Sequence, residues 1–451
     1  IEGDTNITFT EDTVKRFEAF GWHVQVVEDG NDVCKVSEAI EKAIIEKDRP
    51  SIIKVRTHIA FGSPNKADTA GAHGSPLGDE ELRLTKINLG WDPDKSFYVP
   101  DEVLNFYRST GKKGKSKNAE WNKLFSEYKK EFPELAEEYL NLCENKFHER
   151  WTDALPVFDP KDGEVATRSA SGKTINAIAK YFPNMIGGSA DLEPSNDTFI
   201  KGEKSFQPGA YDGRNLHFGV REHSMGAELN GIALTKPLIP YGATFLIFSE
   251  YMRAPIRLAA IMGIRTIFIF THDSIALGED GTTHQPVEQL ISLRSIPNLT
   301  VIRPADANET AQAWRVAIEH KTGPVTIILT RQKLPVIDQT KFAKADNLEK
   351  GAYILSDCEG KPDLIFIATG SEVQLALAAQ EKLKIQNINT RVVSMPSWEL
   401  FEIQDYDYKD TVLPKDIKKR ISIEAGSTLG WHKYITDEGI AIGIDEFGKS
   451  A

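Results

Sequence analysis

The chain has 451 residues, 40% of them hydrophobic, which is enough for two or three domains with cores of their own. Lys and Arg number 54 against 66 Asp and Glu, a formal net charge of −12, and this balance argues against a nucleic-acid-binding protein. Cys34, Cys143 and Cys358 lie far apart and read as reduced thiols of an intracellular protein, and no apolar run approaches the length of a membrane span.

The first sixty residues read helix, strand, helix, strand. Thr10, followed by Glu11 and Asp12, suits a helix N-terminus. Val14, Phe17 and Phe20 line one face of that helix, and Gly21 ends it. Trp22 to Glu28 alternates as a strand. Val33, Val36, Ile40 and Ile44 mark a second helix, and Ser51 to Val55 a second strand. The pattern is that of the tail of a parallel α/β sheet. Residues 58–80 form a glycine- and proline-rich loop that holds His73-Gly74. Residues 98–155 read as a charged helical connector with an exposed turn at Lys112-Lys113-Gly114-Lys115.

A second α/β unit covers roughly 156–335. Helix Ser171 to Tyr181 leads to a strand at Met185-Ile186, then to Gly187-Gly188-Ser189-Ala190-Asp191. A strand from Asn215 to Val220 runs into a helix beginning near Glu222, and strands follow at 264–270, 299–303 and 324–330. A third unit begins near 350, with strands at 364–369, 391–395 and 421–424 and a helix opened by Gly370-Ser371. Strand-helix-strand spacing throughout predicts an α/β fold of three parallel-sheet units.

The densest chemistry is THDSIALGEDGTTHQP at 271–286, directly after the apolar run Ile267 to Phe270. In open α/β sheets ligands bind beyond the carboxyl ends of strands. His272, Asp280 and His284 are thus delivered where a substrate would sit. Arg168, Ser195, His284 and Arg331 form a candidate phosphate set, because a guanidinium fork matches phosphate oxygens. Each arginine alone more often reads as half of a surface ion pair. Glu222, alone, is an acid that complements a helix dipole. Phe245, Phe248 and Tyr251 fall at i, i+3 and i+6, as a core stripe or as the wall of a flat ligand. There is no G-x-G-x-x-G, no P-loop and no zinc spacing, which disfavours a dinucleotide dehydrogenase, an NTPase or a zinc site.

Seven motifs in order give these residues a shared context: FGSPNKADTAGAHGSPLG at 61–78, GGSADLEPSN at 187–196, HFGVREHSMG at 217–226, ATFLIFSEY at 243–251, the 271–286 stretch, LTRQKLP at 329–335 and IEAGSTLGWHKY at 423–434. With them the chain resembles the transketolase family of thiamine-diphosphate enzymes over its whole length. IEGDTNITFTED and VVSMPSWELF look most like its plant and cyanobacterial branch.

The resemblance implies a homodimer with each active site between subunits. The first domain of one subunit holds the coenzyme diphosphate and a divalent metal, Mg2+ or Ca2+; the middle domain of the other holds the aminopyrimidine. It implies Glu222 as the acid on the pyrimidine nitrogen, Phe245, Phe248 and Tyr251 as the ring pocket, and Asp191, His73 and Ile1 as further coenzyme contacts. His73, His272 and His284 would hold substrate hydroxyls or move protons, and Asp280 would read the sugar C2 hydroxyl. Arg168, Ser195, Arg331 and His284 would bind the sugar phosphate. The implied reaction moves a two-carbon glycolaldehyde unit from a ketose phosphate to an aldose phosphate through a thiamine-diphosphate carbanion. It belongs to the pentose phosphate pathway or the Calvin cycle, in the cytoplasm or the plastid stroma.

The implied domains are 1–132, 133–340 and 341–451. The family's Gly-Asp-Gly segment and asparagine metal ligand do not occur, so no metal ligand is assigned within the chain. The first unit is expected to be incomplete, lacking the family's N-terminal part, and the last cut at its end. Thr282 stands where the family usually has proline, and Glu228 where it usually has an apolar residue; turned inward, Glu228 would set a like charge against Glu222. A dihydroxyacetone synthase, or a non-catalytic fragment or partner subunit, remain the alternatives.

Overall fold

The computed structural model describes residues 2–277 and 280–449, in two compact units that divide after Leu124. Ile1, expected above to touch the coenzyme, lies outside the described residues. The first unit carries helix α1 (Thr13–Ala19), strand β1 (His23–Val27), helix α2 (Val33–Ile45), strand β2 (Ser51–Val55) and helix α3 (Asp79–Asn88). β1 and β2 pair in parallel, His23 opposite Ser51. The cap of α1 is Asp12, whose carboxylate accepts from the Lys15 N–H, rather than Thr10. Asp32 caps α2 in the same way. Both put a carboxylate on backbone donors that the first helical turn leaves unpaired.

Helix α4 then runs without interruption from Asp101 to Glu131. The turn expected at 112–115 is therefore corrected. Gly111 and Gly114 each cost a helix about 1 kcal/mol relative to alanine, but no proline breaks the hydrogen-bond ladder and helix-forming residues extend the run on both sides, Asp101 to Tyr107 and Lys117 to Glu131. Lys112, Lys113 and Lys115 are exposed on it.

The second unit contains a six-stranded, wholly parallel sheet. Its strands are β3 (Met185–Ser189), β4 (Asn215–His217), β5 (Ile239–Phe245), β6 (Ile267–Thr271), β7 (Thr300–Ile302) and β8 (Val325–Ile328), in the order β4-β3-β5-β6-β8-β7. Helices α5 (Thr167–Ile178), α6 (Glu222–Leu234), α7 (Arg253–Met262) and α8 (Ala307–Glu319) accompany it. Alternate residues of β6 serve opposite faces. Ile267 and Ile269 pack with Ile175, Ile178 and Trp314 of α5 and α8. Phe268 and Phe270 pack with Met225, Leu229 and Ile256 of α6 and α7. Both faces are covered, which is why the strand reads as an unbroken apolar run. Each of these four side chains is fully buried and contributes about 1.5–3 kcal/mol of transfer free energy.

The chain leaves β3 toward β4 but leaves β5 toward β6, so a crevice opens at the carboxyl ends of β3 and β5. The expected strand at 215–220 is shorter than read, ending at His217, because Gly219 takes a left-handed φ of 68°.

A second sheet is built from β9 (Tyr353–Ser356), β10 (Leu364–Ala368), β11 (Thr390–Ser394), β12 (Arg420–Ile423) and β13 (Ile440–Ile442), with helix α9 (Val373–Lys384). The order is β9-β11-β10-β12-β13, parallel except for β9 against β11. β9 and β13 went unread in the sequence because edge strands of three or four residues carry too little alternation to register.

Candidate active site

The carboxyl edge of the six-stranded sheet brings together most of the expected residues. Glu222 opens α6 and is 9% exposed. Among the described residues, its carboxylate has one hydrogen-bond partner, the Thr244 hydroxyl at 3.4 Å. Thr244 is the penultimate residue of β5, so this contact ties the acid to the strand that ends in Phe245.

Phe245 leads into a 3₁₀ helix, Leu246–Met252. Residues three apart eclipse one another in a 3₁₀ turn, and this stacks the ring series. Phe245 and Phe248 lie 5.6 Å apart and 15° from parallel, and Phe248 and Tyr251 6.1 Å apart and 34° from parallel. Phe245 is buried, Phe248 half-buried and Tyr251 exposed. The i, i+3 spacing visible in the sequence is thus a stacked wall rather than a buried helical stripe.

His272 follows β6 and sits against Phe245, with ring centroids 3.7 Å apart. Its Nδ1 lies 2.9 Å from Thr271 Oγ1. That hydroxyl spends its proton on Asn196 Oδ1, 2.6 Å away, while Asn196 donates to Ser189 Oγ at 3.1 Å. Only Nδ1–H can then complete the pair, so the network assigns the proton to Nδ1 and leaves the Nε2 lone pair available. Burial first, then the positive fields of Arg168 and Arg331, pull the imidazole down to about 4, against a smaller opposing pull from Asp280. At neutral pH His272 is uncharged.

The charges acting on His272 show the rest of the constellation. Arg168 is half-buried at the start of α5, and its Nη1 donates to the Ser195 carbonyl at 2.7 Å. Its Nε is buried with no hydrogen-bond partner among the described residues. Burial, and then the like charge of Arg331, lower its pKa while Asp197 opposes. Arg331 is exposed just beyond β8. Ser195 contributes a carbonyl that aims Arg168. His284 is half-buried, bonded to Thr283 Oγ1 at 2.9 Å and edge-on to Phe248 at 5.4 Å. Asp280 is exposed. Asp191, at a left-handed φ of 60°, lines a cavity of about 210 Å³ with Ser189, His217 and Gly219 at the ends of β3 and β4.

His73 belongs to the first unit, exposed at the end of a 3₁₀ turn, Ala70–Ala72. Glu228 is exposed on α6 and does not turn in toward Glu222; burial raises its pKa somewhat and Arg221 opposes. Thr282 is exposed and donates to the Gly448 carbonyl at 2.6 Å. Thr244, Asn196 and Thr271 were not picked out in the sequence. Their one legible signal was position, each in or directly beside a motif already quoted.

A buried carboxylate with one long hydrogen bond among the described residues, a wall of near-parallel rings, a neutral histidine and a pair of arginines define a candidate active site of the α/β class. It suits a flat nitrogen heterocycle beside an anionic substrate. No group of three or more His, Cys, Asp or Glu that could hold a metal ion occurs among the described residues.

The relatives agree with that class. The transketolase thiamine diphosphate binding domain matches residues 1–147, the transketolase pyrimidine binding domain 163–336, and the transketolase-like C-terminal domain 351–451. The chain is 51% identical to a transketolase of Aquifex aeolicus, covering 100% of this chain and 65% of that one. It is also 51% identical to a transketolase of a Nostoc species, covering 100% and 67%. It superposes with a TM-score of 0.94 on a Pichia stipitis transketolase solved with sedoheptulose 7-phosphate, at 41% identity, covering 100% of this chain and 66% of that one. The chain spans about two thirds of the length of these relatives. It belongs to the transketolase family.

Two expectations are corrected by these matches. The sequence predicts an incomplete first unit in a chain lacking the family's N-terminal part. The diphosphate-binding domain is matched from residue 1 to 147, so all three family domains are represented. A single missing motif does not define a domain whose helices and strands are present from Thr5 onward. The likeness to a plant and cyanobacterial branch also falls. The Aquifex and Nostoc proteins are equally similar. Two short stretches cannot separate branches when half of all positions are shared with both.

Proposed function

We propose that the protein is a transketolase, transferring a two-carbon ketol unit between a ketose phosphate and an aldose phosphate with thiamine diphosphate. The observation that carries this reading is Glu222, buried at the mouth of α6 and tied through Thr244 to the strand that presents the stacked Phe245 and Phe248. A carboxylate so weakly engaged has lone pairs left for a ring N–H, and the parallel rings fit a flat aminopyrimidine. The coenzyme, when bound, supplies the carbon nucleophile and stabilises the charge that develops on it.

This chain's residues then have separable roles. Glu222 holds a proton at the ring nitrogen. Phe245, Phe248 and Tyr251 exclude water from the ring. His272, uncharged and with Nε2 free of its own proton, accepts a proton or hydrogen bond from a substrate hydroxyl. His284 and Asp280 flank it, Asp280 as an acceptor for the C2 hydroxyl, with Asp191 and His73 as further contacts. Arg168 and Arg331 hold the sugar phosphate, and the Nε of Arg168, without a hydrogen-bond partner among the described residues, suits an anionic oxygen. The Pichia relative bound to sedoheptulose 7-phosphate supports a sugar phosphate as ligand. The reading also includes a divalent Mg2+ or Ca2+ beside the diphosphate, a homodimer, domains at 1–132, 133–340 and 341–451, and residence in the cytoplasm or plastid stroma. No described helix is long and apolar enough to cross a membrane.

The test is Glu222→Ala, assayed for thiamine-diphosphate-dependent transfer from a ketose phosphate to ribose 5-phosphate, with calorimetry of coenzyme binding. Loss of turnover in a folded variant is expected; near-normal activity would overturn the assignment. Offering formaldehyde as acceptor separates a dihydroxyacetone synthase, and absence of all turnover in the parent protein would favour a binding role.

A further inference from the structure

His272 has a backbone φ of 58°, in the left-handed region. A non-glycine residue held there costs about 1–3 kcal/mol and persists only where its surroundings impose it. The imposing contact is at the next residue. Asp273 is 1% exposed, and its Oδ2 accepts from Arg303 Nε at 2.9 Å and lies 2.7 Å from Nη2. Arg303 follows β7 and is fully buried. Its Nη1 donates to the Thr369 carbonyl at 2.9 Å and, in a short contact, to the Glu372 carboxylate.

Thr369 and Glu372 follow β10, in the other sheet. Glu372 also accepts the Ala425 N–H at 2.9 Å, just past β12. Its second oxygen accepts from Ser371 Oγ at 2.6 Å, and Ser371 accepts from Gln332 Nε2 at 3.3 Å, beside Arg331. One buried carboxylate therefore gathers the carboxyl ends of β10 and β12 and reaches two site-bearing loops of the first sheet. Gly370 makes this possible. At φ 59°, a Cβ there would stand 2.4 Å from Arg303 Cζ.

We propose that Glu372 and Arg303 are positioning residues for the active site: Glu372 sets His272 through Arg303 and Asp273, and Arg331 through Ser371 and Gln332. The second sheet thus acts on the substrate without touching it. A buried ion triad adds little net stability compared with an apolar replacement. What it supplies is direction, since a guanidinium donates to two carboxylates only in fixed geometry. The effect on substrate rests on the transketolase reading; the strut itself does not.

The experiment is Glu372→Gln in the otherwise unaltered protein, with Glu372→Asp as the conservative partner, after thermal unfolding shows both folded. Histidine NMR, with the His272 signal assigned by its loss in His272→Gln, reports the imidazole directly. The groups acting on that ring are Arg168, Arg331, Asp280 and His284, with Phe245 stacked on it. In Glu372→Gln the His272 signal moves and its midpoint rises from about 4 toward 6.5 as the ring leaves Phe245. Turnover (kcat/KM) with a phosphorylated donor falls about 10- to 100-fold, and Glu372→Asp recovers part of both. An unmoved His272 signal with kcat/KM within about twofold in folded Glu372→Gln overturns the proposal. Should that variant fail to fold, Gly370→Ala presses on the same guanidinium, and the same shift or constancy of the His272 signal and of kcat/KM supports or overturns the proposal. If the parent protein transfers no ketol unit, the functional reading fails while the NMR result still decides the strut.

Discussion

The imidazole of His272 lies on the ring of Phe245, with centroids 3.7 Å apart and planes 30° from parallel. The contact removes water from one face of the histidine, and desolvation is the first cause of its depressed pKa. One aromatic contact therefore links the proposed coenzyme wall to the protonation state of a proposed substrate residue.

His272 should make the protein acid-sensitive. Its pKa falls from 6.5 to about 4 on folding, so the unfolded chain binds the proton first as pH drops. Its contribution to stability is fully present above pH 6.5 and is lost as pH falls toward 4. His272→Gln should show a smaller drop in thermal midpoint across that window. Parallel curves for the two proteins would contradict the assignment.

Glu309 should act in the opposite direction. It is 1% exposed in α8 and accepts from Tyr353 at 2.7 Å, Ser394 at 2.6 Å and the Ala305 N–H at 2.7 Å. Burial, and then the neighbouring Asp306, push its pKa from 4.5 up to about 7. The folded state holds this proton more tightly than the unfolded one. Stability from this site is present below pH 4.5 and is lost as pH rises through 7. Glu309→Gln keeps an acceptor without a titrating proton, so its unfolding midpoint should decline less between pH 5 and 8.

Glu424 and Arg294 form a bidentate pair at 2.8 Å and 2.8 Å, each side chain 2% exposed. The guanidinium also lies 4.2 Å from the Trp398 ring, and Trp431 donates to Glu424 at 2.8 Å. Glu424→Ala strands a buried cation and should cost about 3–5 kcal/mol. Replacing both residues with methionine should restore much of the loss. Denaturant unfolding of the single and double variants measures this, and additive losses would show that the pair is not coupled.

Arg168 and Arg331 should matter for phosphate and for little else in the substrate. Arg168→Ala is expected to raise the KM for a phosphorylated donor about tenfold or more, as loss of a charge-assisted hydrogen bond would. A donor without phosphate should be nearly indifferent. Equal losses with both donors would reassign the arginine to the fold.

The parallel sheets were legible in the sequence because strands covered on both faces leave unbroken apolar runs, as in Ile267 to Phe270. The glycine and proline punctuation between runs marked the connections. Glu222, Phe245, His272 and Arg331 could be found because parallel strands deliver the residues at their carboxyl ends to one edge of the sheet. The continuous helix through Gly111 and Gly114 was not legible, since local propensity there favoured a turn. Nor was the partnership of Asp273, Arg303 and Glu372. Those residues lie 30 and 69 positions apart in the chain, and each alone reads as an ordinary surface charge.

Residue identity and order alone determined the α/β class, the family likeness and the short list of groups able to do chemistry, though not that the diphosphate-binding domain is represented. These follow from periodicity and from motif order, which need no coordinates. Only the folded chain decided which groups face one another. It gave Glu222, among the described residues, one weak partner, assigned the His272 proton to Nδ1, and buried a guanidinium between carboxylates from two sheets. Burial and hydrogen-bond direction depend on contacts between residues distant in sequence, and no local pattern encodes them.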